Sequence, residues 1–179
     1  MTSEARDGRS PAGGTVAVDT AIPVADLRFV VEPHNCFACG SLNSNGLQLD
    51  LHVQGERCWT ELSLPVRFQG WDGIAHGGIV CTILDEVMAW ALVFHDNLGL
   101  TARMSVEFKR PIELGRPFRA EGWVTESHRR ILRTAARIVD VERGDLLATA
   151  EGTYVAAGEA RKQELKDRYG FRLVETADR

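Results

Sequence analysis

Apolar and polar positions alternate with period two along most of this chain. Leu47, Leu49, Leu51 and Val53 are separated by Gln48, Asp50 and His52, and after a turn at Gly55 the residues Cys58, Thr60, Leu62 and Leu64 resume the alternation. Such alternation predicts half-buried strands, here paired as a hairpin. Four more strands are predicted at Ala102 to Lys109, Phe118 to Ser127, Ile131 to Val141 and Leu146 to Val155. The turns between them are short, as in RPIELGRP and ERGD, which favours antiparallel neighbours.

One segment breaks the pattern. In the sixteen residues from Ile79 to Phe94 only Thr82, Asp85 and Glu86 are polar, and neither Gly nor Pro interrupts. That length predicts a helix, and a helix apolar nearly all round must be buried on most sides. A curved antiparallel sheet gripping one long helix is the expected α+β architecture, the hotdog fold.

The ends of the chain read differently. Residues 1–20 are rich in Gly, Ser, Ala, Arg and Asp without periodicity, as in a disordered tail. One domain is expected over 21–157. The segment 158–179 reads as a charged appendage with a short exposed helix at Glu159 to Tyr169.

Composition narrows the function. A chain of 179 residues with net charge −4 and scattered Lys and Arg has no field to attract nucleic acid or an anionic membrane. The first residues contain no apolar leader core, and the longest apolar run reads as shorter than a membrane span, so a soluble, cytoplasmic protein is expected. Cys36, Cys39, Cys58 and Cys81 are then expected as reduced thiols. Cys36-Phe-Ala-Cys39-Gly offers two metal-type ligands, but no second pair follows unless Cys58 or His52 folds back, so a Cys-rich turn without metal is the expectation.

Asp85 and Glu86 need an explanation, because an unpaired carboxylate in an apolar helix is costly to keep ionised. They are either surface or ion-paired acids, or working groups. His76-Gly77-Gly78 stands just before the helix, where free backbone N–H groups and the helix dipole can stabilise an oxyanion. The same residues also suit a tight strand-to-helix turn, and His76 also suits a cap. At 1.5 Å rise per residue, Asp85 lies about 12 Å along the axis from Gly77, too far for one carbonyl to touch both. A shared site therefore requires two chains.

These residues carry a resemblance. HGGIVCTILDE, preceded by FQGWDG and followed by MSVEFKRPIELG, is similar to the hotdog-fold acyl-CoA thioesterases of the PaaI type, in the 4-hydroxybenzoyl-CoA thioesterase superfamily, over about Asn35 to Ala157. The resemblance implies hydrolysis of an acyl-CoA to a carboxylic acid and free CoA, with no cofactor. It implies Asp85 as general base or nucleophile, the Gly77 N–H as oxyanion donor, His76 beside them, and a homodimer or dimer of dimers. Many PaaI-type enzymes have an asparagine six residues before the motif histidine, where this chain has Gly70, so that asparagine's role does not carry over.

For the substrate, Gly78 and Trp71 adjoin the motif, while Arg110 and Arg129, with Arg103, Lys109 and Arg130, lie where cations would meet CoA phosphates. Trp90 and Phe94 line the acyl pocket or pack the core. Glu86, turned about 100° from Asp85, reads as structural or as a rim residue. The alternatives are a non-catalytic acyl-CoA-binding module and, on His76, a hotdog hydratase or dehydratase.

Overall fold

The structure, a computed structural model, describes residues 27–175. The tail expected at 1–20 lies outside the described residues. Eight strands form one antiparallel sheet: β1 (Leu27–Val30), β2 (His52–Gln54), β3 (Arg57–Leu62), β4 (Gly99–Phe108), β5 (Phe118–His128), β6 (Ile131–Asp140), β7 (Leu146–Ala156) and β8 (Arg172–Glu175). Their order is β4-β7-β6-β5-β3-β2-β1-β8. The long helix α1 (Gly77–Ala91) lies against this sheet, followed by a 3-10 turn at Leu92–His95, and α2 (Glu159–Tyr169) precedes β8.

α1 sits in the sheet's concave face because its apolar positions leave it no other stable place. Val80, Ile83, Leu84, Val87, Met88 and Ala91 are buried, and they meet Phe118, Ala120, Leu132, Ala136, Ile138, Ala148 and Tyr154 in one core. Gly122 in β5 allows the closest approach: a Cβ there would lie 2.7 Å from the Val87 carbonyl oxygen. With its 3-10 extension the helical run covers nineteen residues, Gly77–His95, at mean hydropathy 1.7. That is long and apolar enough to cross a membrane, which corrects the expectation from sequence that the run is too short. In this fold the wrapping sheet accounts for its apolar character.

The first predicted strand differs. Leu49, Leu51 and Val53 are buried as the alternation requires, yet regular pairing begins only at His52. The backbone N–H groups of Leu47 and Leu49 bond instead to the carbonyls of Phe37 and Ala38, so the Cys36-Cys39 turn replaces a neighbouring strand. The C-terminal segment is tied into the domain: β8 pairs with β1, and Lys162 of α2 is buried, with its Nζ 2.7 Å from Glu159 and 3.0 Å from the Asp96 carbonyl.

Candidate active site

The start of α1 is built by the stretch Phe68 to Gly78. Gln69 accepts the N–H of Gly73 at 3.1 Å, Gly73 supplies the positive φ of 76° that the turn needs, and the His76 N–H returns to the Phe68 carbonyl at 2.9 Å. Gly70 is where the departure from the PaaI pattern falls, and its backbone lies so close that a Cβ would sit 3.0 Å from His76 Cα. A side chain at position 70 would push on the residue that opens the helix.

His76 is the N-cap: its Nδ1 accepts the N–H of Gly78 at 3.0 Å. In the neutral ring the proton therefore sits on Nε2. The N–H of Gly78 is used within the chain, whereas no acceptor among the described residues takes the N–H of Gly77. This is the donor that a developing negative charge can use. Gly77 opens on a groove lined by Trp71, Ile74, Val80, Phe108, Lys109 and Arg110. Trp71 is 84% exposed there, and Arg110 reaches Asp145 at 3.3 Å.

Asp85 stands two turns further along α1, part-buried, beside the opposite end of β4. Its Oδ1 accepts from the Thr101 hydroxyl at 2.8 Å and from the Tyr154 hydroxyl at 2.7 Å. Neither hydroxyl was signalled by sequence, since each sits within a strand among residues of ordinary strand type. Tyr154 is fully buried, and burial, with the Asp85 carboxylate beside it, pushes its phenol above the ordinary range. It stays a neutral donor and aims the carboxylate. Tyr154→Phe removes one hydrogen bond to a charged group, about 1.5 kcal/mol. In steady-state assays kcat should fall about tenfold with KM unchanged, because Thr101 still holds Asp85 in place.

Within one chain the predicted residues fall into two groups. Trp71, Gly77, Gly78 and Arg110 gather at the helix start with His76, while Asp85 keeps company with Thr101 and Tyr154. Arg129, at positive φ in the β5–β6 turn, lies at the Thr101 end of the sheet. The neighbouring Arg130 is held by the Ala156 carbonyl at 2.9 Å.

Glu86 is neither on the rim nor idle. Its Oε1 accepts from Trp90 Nε1 at 2.9 Å, and Trp90 packs on Phe29 and Phe171, so it belongs to the core periphery and not to the groove. Burial pushes the Glu86 carboxyl up to about 7. The acid lies beside the cysteine turn: the Cys36 and Cys39 sulfurs and a Glu86 carboxylate oxygen are within 4.8 Å of one another. Cys36 is held down at about 5, chiefly by the hydrogen bond from the Cys39 thiol. All four cysteines are free thiols.

The family model of the thioesterase superfamily matches residues 72–147, from the turn before α1 into β7. Comparison with curated proteins returns no match. Among solved structures, a thioesterase superfamily protein superposes with TM-score 0.64 at 25% identity, covering 68% of this chain and 60% of that one. This chain thus spans about 60% of that protein's length. The E. coli PaaI protein from the phenylacetic acid degradation operon superposes with TM-score 0.58 at 17% identity, covering 63% and 81% of the two chains. A hypothetical thioesterase from Streptococcus pneumoniae TIGR4, solved with coenzyme A, does so with TM-score 0.54 at 18% identity, covering 57% and 82%. Helix, sheet order and these likenesses agree: the chain has the hotdog fold, and its residues 72–147 are similar to the thioesterase superfamily.

Proposed function

We propose that this protein is an acyl-CoA thioesterase whose sites are shared between two subunits of a homodimer. The observation that carries the reading is Asp85, a helix carboxylate aimed by two hydroxyls, on the same helix as an oxyanion donor it cannot reach.

Strand β4 supports the dimer. It is an edge strand of ten residues, with Leu100 81% and Phe108 55% exposed, and long apolar edges invite pairing. Antiparallel pairing of two β4 strands about a two-fold axis near the middle of the strand brings the Thr101 end of one strand to the Phe108 end of the other. Phe108 packs over Gly77, so this pairing carries the start of the partner's helix toward Asp85.

In that site Asp85 deprotonates a water, or attacks the thioester carbon directly, while the Gly77 N–H from the other subunit receives the charge growing on the carbonyl oxygen. The thiolate of CoA leaves. Trp71 and Phe108 offer apolar surface near the reacting carbon, and Arg110 and Arg129 supply cations for the CoA phosphates.

A thiol-release assay over short-chain, long-chain, aromatic and hydroxylated acyl-CoAs tests the reading. Turnover of at least one class is expected. Tight acyl-CoA binding with no thiol released from any class would overturn it in favour of a binding module.

A further inference from the structure

The turn from Cys36 to Gly40 takes no part in the reaction proposed above, yet it is more ordered than a connection needs. The Cys36 carbonyl accepts the Gly40 N–H at 3.0 Å, and the Cys36 sulfur accepts the backbone N–H groups of Ala38 and Cys39. Gly40 has no room for a side chain, since a Cβ would lie 2.4 Å from the Cys36 nitrogen and 2.5 Å from the His34 carbonyl oxygen. A tight turn whose amides point back at its first sulfur presents that sulfur as a fixed, charge-stabilised ligand.

Helix α1 adds the third group. Glu86 extends its carboxylate to the turn, where an oxygen and the two sulfurs lie within 4.8 Å of one another. Trp90 Nε1 fixes Oε1 at 2.9 Å. His34 completes the surroundings. Its Nδ1 accepts the Cys36 N–H at 3.2 Å, so Nε2 carries the ring proton and faces Cys39 Sγ at 3.9 Å. In that tautomer His34 is a donor to sulfur and not a ligand.

We propose that Cys36, Cys39 and Glu86 form a binding site for one thiophilic divalent cation of the zinc type, with the fourth coordination position open to water or another small ligand. Two sulfurs select against magnesium and calcium. In a tetrahedral zinc site the bond lengths, about 2.3 Å to sulfur and about 2.1 Å to oxygen, set ligand atoms roughly 3.6–3.8 Å apart. The three atoms, within 4.8 Å of one another, need to close by no more than about 1 Å.

Trp90, His34 and the two turn amides are outer groups that orient the ligands. A bound dication would also offset the negative charge that Glu86 otherwise holds in apolar surroundings. The ion would clamp the 34–40 turn onto the middle of α1, one residue from Asp85. Binding here is independent of whether the protein hydrolyses thioesters.

The test uses the full chain, reduced and stripped of metal by a chelator, titrated with cobalt(II) and then zinc(II). One cobalt per chain is expected, with a thiolate-to-cobalt charge-transfer band in the near ultraviolet, displaced by one zinc, and with a Tm that rises on loading. Cys36→Ser and Cys39→Ser should each lose most of the band, and Glu86→Gln should weaken cobalt binding by more than about tenfold, the low end of what loss of even an outer partner costs. Cys36 is exposed, so serine there leaves the core intact even if Glu86→Gln fails to fold. No stoichiometric uptake by the reduced wild type, a cobalt spectrum without the thiolate band, or undiminished binding by Cys36→Ser would each overturn the proposal.

Discussion

Asp85→Asn should fold, dimerise and bind acyl-CoA, yet release thiol roughly 10²- to 10⁴-fold more slowly than the wild type, the range for loss of a positioned acid or base. The exchange keeps an oxygen that can accept from Thr101 and Tyr154, so the helix and its hydroxyl contacts survive. What is lost is the capacity to take a proton or to attack carbon. The effect should therefore fall on kcat and leave KM nearly unchanged. Turnover within twofold of the wild type would remove Asp85 from the reaction.

The second large effect concerns the other half of the site. Gly77→Pro deletes only the N–H proposed as oxyanion donor, at a position where proline fits. Gly77 is the first residue of α1, where a helix tolerates proline, and the preceding His76 has φ −65° and ψ 131°, as a residue before proline requires. Loss of one such donor should lower kcat about 10²- to 10³-fold. A substituted Cβ meets only the Phe108 ring, at 3.5 Å, an ordinary contact.

Together the two variants test whether the site is shared. Asp85→Asn and Gly77→Pro homodimers are each expected to be nearly inactive. Subunits unfolded together and refolded at equal amounts would pair at random, so about half the dimers would be mixed, each with one site that has both an intact Gly77 and an intact Asp85. About one quarter of wild-type activity should return. A site contained within a single chain predicts no recovery.

Much of this protein is legible in its residues because its periodicities are unmixed. Strands β5, β6 and β7 lie where alternating apolar positions put them, since each has one face on the core and one in solvent. The apolar run at Ile79 to Phe94 became α1 and its 3-10 extension, since nothing in it could turn the chain and only a wrapping sheet could cover it. Strands β1 and β8 carried no comparable signal. They are short and lie at one edge of the sheet, where partial exposure blurs the alternation.

The candidate site divides in the same way. Asp85 and the Gly77 turn stand out locally, because an acid in an apolar helix and paired glycines before it are exceptions to their surroundings. Thr101 and Tyr154 are unexceptional strand residues, and their approach to Asp85 depends on β4 pairing with β7 in a register that sets Thr101 across from Tyr154. Glu86 shows the same limit. Its position in the helix says only that it points away from Asp85, and its nearness to Cys36 and Cys39 arises because residues some fifty positions earlier fold back across α1.

The sequence by itself determined the strand and helix periods, the glycine-bounded helix start, and an acid about 12 Å from that start, for those are properties of neighbours along the chain. Tertiary structure alone decided which hydroxyls hold Asp85 and that Glu86 meets two sulfurs. Each of these depends on register and packing between segments remote in sequence, where shifting a strand by one residue would turn its side chains to the opposite face.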